Sequence, residues 1–249
     1  MSSNAPRQPP VRDLRFFLTV PHACSYLEQR EATTLFLDPQ ERPGQGVYDA
    51  LSLLGFRRSG RHLYRPHCEG CRACISVRIP VKDFCPNRSQ RKLISRNEDL
   101  NVIERQASFD YEHYRLYSRY IRARHSDGDM FPPSIEQYRT FLTLNQPYAR
   151  LLEFRLGRRL VAVTAVDMLE HGLSAIYTFF DPAREFERRS LGTQAILKLV
   201  ALAYRRELPH VYLGYWIRHC RKMEYKRNFQ PLEYLNGRHW HRAISLENE

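Results

Sequence analysis

Apolar side chains fall on every second position at Ile75, Val77, Ile79 and Val81, with polar or small residues between them, and that period of two predicts a strand over residues 74–81. A shorter strand is expected near residues 15–18, and helices over residues 47–54, closed by Gly55, and residues 89–96. Further on, helical spacing returns over residues 111–124, and a charged loop follows at residues 125–130. Ser134 opens a short helix, with Gln137 three places on at capping-box spacing. Residues 148–156, 159–169 and 173–180 read as strands. The turns Gly157-Arg158 and His171-Gly172 join them, so an antiparallel meander is predicted. Leu191, Ala195, Leu199, Leu202 and Ala203 then repeat at helical spacing over residues 190–206. A strand at residues 210–215 and a basic helix around residues 218–227 complete the pattern.

The pattern divides the chain into a polar, Pro-rich tail at residues 1–12, a mixed N-terminal module at residues 13–106 and a second module at residues 107–244. A frayed tail follows at residues 245–249. With 43% hydrophobic and 12% aromatic residues the 249-residue chain can bury a sizeable core. No apolar run approaches the roughly 18 to 20 residues that cross a bilayer, so no membrane partner is expected. The first ten residues lack the apolar segment of a signal peptide, and the expected location is the cytoplasm.

Charge changes the picture. The net charge is +12, and it is segregated: residues 55–96 hold eleven Arg or Lys against two acids, and residues 215–242 hold seven against two. A polyanion whose affinity falls steeply with salt is the expected partner. Six cysteines include Cys68, Cys71 and Cys74, two consecutive steps at metal-ligand spacing, which Cys24 or His67 would extend toward a zinc or iron-sulfur site. Packed or redox-sensing thiols are the alternative.

Strand, strand, strand, helix, strand, helix, strand is the element order of GNAT-type acyltransferases, so the expected fold is α+β. It pairs an N-terminal module carrying the Cys cluster with a GNAT-like domain built on a mainly antiparallel sheet. In that fold a glycine-rich loop cradles the pyrophosphate of coenzyme A at a helix N-terminus. The matching stretch here, RSLGTQ at residues 189–194, ends on Gln194, which is expected to crowd a pyrophosphate. The expectation therefore moves to another acyl carrier, and aminoacyl-tRNA is a polyanionic one.

Several longer strings carry a resemblance. They are CSYLEQR at residues 24–30, GFRRSG at 55–60, YRPHC at 64–68, CISVR at 74–78 and RHSDGDM at 124–130. YTFFDP at 177–182, RSLG at 189–192, YLGYWI at 212–217 and CRKMEYK at 220–226 complete the set. Over nearly its whole length the chain resembles the bacterial aspartate/glutamate leucyltransferases, a branch of the arginyl-tRNA–protein transferase family. The resemblance implies a GNAT-like second half. It also implies transfer of leucine from leucyl-tRNA to proteins with N-terminal Asp or Glu, which marks them for degradation by the N-end rule pathway. Eukaryotic relatives carry two N-terminal cysteine pairs for a metal or cluster. This chain keeps Cys24 of the first pair, with Leu27 at its partner's place, and has the wider-spaced Cys68, Cys71 and Cys74 in place of the second.

Such a transfer needs no further cofactor, because the aminoacyl ester is already activated and an α-amine with a pKa of about 7.7 to 8.0 is partly neutral at pH 7. Asp181, with Tyr177 on the same strand, is a candidate to orient or deprotonate the amine, or else simply opens an Asp-Pro turn. His125, Asp127 and Asp129 are alternatives for the base, and Gly214 with Tyr215 for the acyl pocket. Reading an acidic first residue calls for a guanidinium fork. Arg78 is the first choice and a structural ion pair its alternative, with Arg57, Arg58 and Arg65 nearby. Lys222, Lys226, Arg227 and Arg189 are candidates for the tRNA. Tyr225 and Trp216 are candidates to stack on its terminal adenine, or belong to the core. A coenzyme A-dependent protein N-acetyltransferase and a non-catalytic nucleic-acid-binding module are the competing readings.

Overall fold

In the computed structural model, which describes residues 14–41 and 43–242, the chain opens with β1 (Phe16–Leu18), β2 (His22–Ala23), β3 (Glu31–Ala32) and β4 (Thr34–Leu37). Helix α1 (Gln45–Leu53), β5 (Arg57–Ser59) and β6 (His62–Pro66) follow. Strands β1, β4, β6 and β5 pair in that order as a small antiparallel sheet. Helix α1 packs Val47, Tyr48 and Leu51 with Leu37, Phe56 and Leu63. It ends as the sequence predicts. Gly55 sits at φ 84°, its N–H donates to the Ser52 carbonyl at 3.1 Å, and the Phe56 N–H donates to that of Leu51 at 3.0 Å.

The rest of the chain forms β7 (Ile75–Pro80), α2 (Arg88–Arg96), β8 (Leu100–Gln106), α3 (Tyr111–Arg124), α4 (Ile135–Leu142), β9 (Ala149–Leu156), β10 (Arg159–Leu169) and β11 (Gly172–Phe180). Helix α5 (Leu191–Arg205), β12 (His210–Trp216), β13 (Glu233–Asn236) and β14 (His239–Arg242) close it. Eight strands make one sheet in the order β14-β13-β7-β12-β11-β10-β9-β8, antiparallel throughout except between β11 and β12. The fold is α+β with a mostly antiparallel sheet. Strand β7, from the first third of the chain, lies between β13 and β12, so early and late segments share one sheet.

Both faces of this sheet are covered. On one side α5 buries Leu191, Ala195, Leu199 and Ala203 against Phe154, Val161, Leu173 and Val211. On the other, α3 and α4 bury Leu116, Tyr117, Ile121, Tyr138 and Leu142 against Leu151, Val163 and Phe179. Each fully buried Leu or Phe contributes about 1.5–3 kcal/mol of transfer free energy. Local signals agree with these helices. Asn87 and Gln90 form a reciprocal capping box at the start of α2, and Asp110 accepts the first-turn amides of α3 from Glu112 and His113.

Three expectations change. Residues 218–227 are not an α-helix: they run through turns into a 3₁₀ segment, Glu224–Asn228. Arg218, Lys222 and Lys226 would have stacked like charges at i, i+4 along a helix face. Ser134 caps α4 through the Gln137 amide, but the Gln137 side chain turns to Tyr117 and the Asp129 carbonyl, so the reciprocal arm of the box is missing. The hairpins β5–β6 and β13–β14 and the edge strand β8 were not predicted. The expected tails lie outside the described residues.

Candidate active site

Strands β11 and β12 are parallel, and they stay paired only through Leu173 with Val211 and Ser174 with Tyr212. Beyond that point β11 continues along β10 as far as Phe180, while β12 bulges between Tyr212 and Gly214 and follows β7. The sheet therefore parts. A cavity of about 780 Å³ opens there, lined by Ala175, Ile176, Tyr177, Thr178 and Phe180 of β11 with Asp181 just beyond it, by Leu213, Gly214 and Tyr215 of β12, and by the first turn of α5. That turn has no side-chain cap, so its amides are free of a side-chain acceptor at the edge of the cavity.

Arg57 fills the point of the wedge. It reaches in from β5, is 9% exposed, and donates from Nη2 to the Ala175 carbonyl, which lies beyond the last β11–β12 pair. A Cβ on Gly214 would lie in van der Waals contact with its guanidinium, and the φ of 81° at Gly214 is one that side chains disfavour. The adjacent Arg58, which also borders the cavity, commits its guanidinium to a buried bidentate pair with Asp167, whose Oδ2 also accepts the Tyr48 hydroxyl at 2.7 Å. That network anchors β5 and with it Arg57.

Lys226 enters from the 3₁₀ segment. It is 6% exposed, lines the cavity and donates from Nζ to the Tyr215 carbonyl. Burial first, then the neighbouring Arg57, pull its amine down to about 7, with Cys220 acting the other way. Tyr177 and Tyr120 form an aromatic wall. The Tyr177 hydroxyl is buried without a hydrogen-bond partner, and burial raises the phenol far above its ordinary value. His125 lies 3.4 Å from the Tyr120 hydroxyl, and burial, followed by Lys222, keeps its imidazole below its ordinary value against the pull of Asp127.

Of the residues singled out from sequence, the cavity brings together Arg57, Arg58, His125, Tyr177, Asp181, Gly214, Tyr215, Lys222, Tyr225 and Lys226. Asp181 is engaged already. Its Oδ2 accepts from Arg119 at 3.2 Å and Arg159 at 2.9 Å, and its Oδ1 accepts the Ala183 amide. Both oxygens thus secure the turn after β11. Asp127 is exposed and stands 3.6 Å from Lys222, and Asp129 also lies outside the lining.

Arg78 is elsewhere. Its Nε donates to Glu233 at 2.6 Å and its guanidinium stacks 4.2 Å from the Trp240 ring, the ion-pair alternative. Arg65 packs over Phe56 and donates to the Leu54 carbonyl, and Arg189 is bidentate to Asp99 at 2.7 and 2.8 Å. Trp216 is 4% exposed within the main core, so it has no free face for a base. Arg227 pairs with Glu224, and Gln194 is wholly buried within α5, outside the lining it was expected to crowd. Tyr26, Tyr64, Tyr120 and Arg124 line the cavity without having been singled out for it. The strings that contain Tyr26, Tyr64 and Arg124 were visible, but nothing local distinguishes a lining aromatic from a core one.

Cys24, Cys68, Cys71, Cys74 and Cys220 are half-buried free thiols, and among the described residues no group of three or more His, Cys, Asp or Glu is placed to hold a metal ion. Burial first, and then Cys68, Cys24, Cys71 and Cys220, push the free Cys74 thiol up to about 12, so as a free thiol it is held as SH.

Among the described residues no helix is long and apolar enough to cross a membrane. Comparison with known proteins gives two family matches: arginine-tRNA-protein transferase, N terminus, over residues 22–92, and arginine-tRNA-protein transferase, C terminus, over residues 112–236. An aspartate/glutamate leucyltransferase of Chromohalobacter salexigens is 74% identical over 246 residues, covering 99% of each chain. Another, of Pseudomonas fluorescens, is 53% identical over 227 residues, covering 91% of this chain and 96% of the relative. Among solved structures, L-PGS from Bacillus licheniformis aligns over 81% of this chain and 63% of its own, with a TM-score of 0.46 at 11% identity.

Proposed function

The chain belongs to the arginine-tRNA-protein transferase family, and from that premise we propose that its cavity is where leucine passes from leucyl-tRNA to the α-amine of a protein beginning with Asp or Glu. The observation that carries this reading is the pairing of two surfaces in one cavity. Phe180, Leu191, Ile196, Leu213 and Met223 offer an apolar wall, and Arg57 offers a buried guanidinium. A leucyl side chain needs the first and an acidic side chain the second.

In the reaction the amine attacks the ester carbonyl, a C–N bond forms and the C–O bond to the terminal ribose breaks. No ATP enters, since the ester carries its own activation. Arg57 holds the acidic side chain and so brings the α-amine to the ester. Holding the two at about 3–3.5 Å supplies a large part of the acceleration. The uncapped first turn of α5 suits the oxyanion or a phosphate of the acceptor end. Lys222 and Tyr225, exposed at the rim, suit the terminal nucleotides, with Tyr225 offering a face for the adenine.

The meander β9–β11, the crossover through α5 and the parting of β11 from β12 support a GNAT-like reading of residues 107–244, to which residues 13–106 contribute Arg57. The product begins with leucine and serves as an N-end rule degradation signal. The test is transfer of label from leucyl-tRNA to peptides that begin with Asp, Glu or Ala. Label is expected in the Asp and Glu peptides alone. Equal labelling of the Ala peptide, or label arriving only from acetyl-coenzyme A, overturns the reading.

A further inference from the structure

We propose that Lys226 is the proton carrier of this transfer, its Nζ taking a proton from the attacking amine and passing it to the ribose oxygen that leaves. The inference rests on the aminoacyl-transfer reading and gives Lys226 a role other than contact with the tRNA backbone. A lysine that neutralises phosphates stands in solvent. Lys226 instead turns inward from the Glu224–Asn228 segment and places Nζ against the Tyr215 carbonyl, one residue beyond the Gly214 bulge, at the wall of the cavity.

Among the described residues no carboxylate pairs with it. Buried lysines are ordinarily paired, because a desolvated ammonium without a counter-charge is costly. The groups around it reinforce the point. Arg57 on β5 is a cation that acts on it, Tyr64 and Tyr215 of the same lining are phenols, Cys220 is a thiol, and the Tyr225 ring lies 5.9 Å from Nζ. The cavity lining also holds Arg124, His125 and Lys222, together with Glu187 and an Asp181 already held by Arg119 and Arg159. The surroundings favour the neutral amine, and the value of about 7 matches an acceptor that must also give the proton back. A neutral Nζ keeps one N–H on the Tyr215 carbonyl and has a lone pair for the nucleophile.

The step balances without an outside reactant. The lone pair of the peptide amine makes the C–N bond, and the electron pair of the ester C–O bond departs with the ribose oxygen. One proton moves from the amine nitrogen to Nζ and on to that oxygen, leaving Lys226 neutral again.

The experiment is single-turnover transfer from leucyl-tRNA to an Asp-initiated peptide, followed against pH for the parent protein and for K226M, K226R and K226A, with leucyl-tRNA binding measured in parallel. The parent rate is expected to rise through about pH 7. K226M is expected to be slower by roughly 100-fold and to keep only the rise of the peptide amine itself, near 7.7 to 8.0, with tRNA binding retained. K226R preserves charge and length but holds its proton, and should be as slow as K226M. Small primary amines such as methylamine should restore part of the K226A rate, a rescue that a packing role does not predict. A K226R protein with the parent rate and inflection, or no amine rescue of a folded K226A, removes Lys226 from the proton path. Absence of leucine transfer by the parent protein removes the underlying reading instead.

Discussion

A Cβ placed on Gly214 would stand 3.4 Å from Nε and 3.5 Å from Nη2 of Arg57, in van der Waals contact with the guanidinium at the β12 bulge. Gly214→Ala is therefore a probe of Arg57 that leaves Arg57 itself in the chain. The added methyl comes into contact with the fork, and the φ of 81° adds strain of about 1–2 kcal/mol whose relief shifts the bulge on which Arg57 rests. We expect kcat/KM for Asp- and Glu-initiated peptides to fall by roughly 10- to 100-fold, with leucyl-tRNA affinity little changed. Initial rates at several peptide concentrations give the answer. Unchanged peptide kinetics would separate Arg57 from the reading of the acidic residue.

Asp167 holds the neighbouring arginine. The Arg58 and Asp167 side chains are 2% and 0% exposed and meet at 2.6 and 2.8 Å, so removing the carboxylate strands a buried cation and the Tyr48 hydroxyl together. Asp167→Ala should cost about 3–5 kcal/mol of stability, read from the shift of the urea unfolding midpoint. Because β5 carries Arg57 next to Arg58, whatever protein folds should also lose peptide selection. A shift below 1 kcal/mol would mean that the pair contributes little to the fold.

Long periodic segments were legible in the sequence. The helix over residues 111–124 and the meander over 149–180 have buried faces whose spacing differs from loop to helix to strand, and caps or glycine turns mark their ends. The alternation at Ile75 to Val81 likewise revealed β7. Alternation identifies a face and says nothing of what lies across it, so the strand of Arg78 was legible while the choice between a reader and an ion pair was not: Glu233, 155 residues later, accepts from its Nε. Lys226 was hidden for a related reason. Within a run of basic residues it reads as one more surface charge, and only the 3₁₀ path, which brings Nζ to the Tyr215 carbonyl, turns it inward. Hairpins β5–β6 and β13–β14 are short and crowded with Arg and His, and their pairing is fixed by tertiary contacts such as the Trp240 indole donating to the Leu53 carbonyl.

Arg78 and Arg57 can be told apart by what each loses. Arg78→Ala removes a charged hydrogen bond to Glu233 and stacking on Trp240, contacts worth about 1.5–3 and 0.5–2 kcal/mol in comparable settings. It is expected to lower the unfolding midpoint while the preference for Asp over Ala peptides survives. Arg57→Ala should do the reverse, abolishing the preference with a smaller loss of stability. Loss of preference in Arg78→Ala at full stability would return the reader role to β7.

Glu153 sets the acid limit of the C-terminal half. It is 4% exposed on β9, where His113 Nε2 lies 2.8 Å from one oxygen and Arg155 Nε 2.8 Å from the other, with Arg105 at 3.5 Å. Burial alone would raise its carboxyl, but the hydrogen bonds from Arg155 and His113 outweigh it and hold the group below its ordinary value of 4.5. A folded value below the unfolded one means that under acid the unfolded chain takes up the proton first. The stabilisation is therefore complete above about pH 4.5 and drains away as pH falls through the lowered folded value. Glu153→Gln has no carboxyl to titrate and should lose less stability than the parent over that acid interval, although it is the weaker protein near neutrality, where the charged pairs are intact. Urea midpoints collected between about pH 3 and 6 give the two slopes, and parallel curves would place the acid sensitivity on other carboxylates.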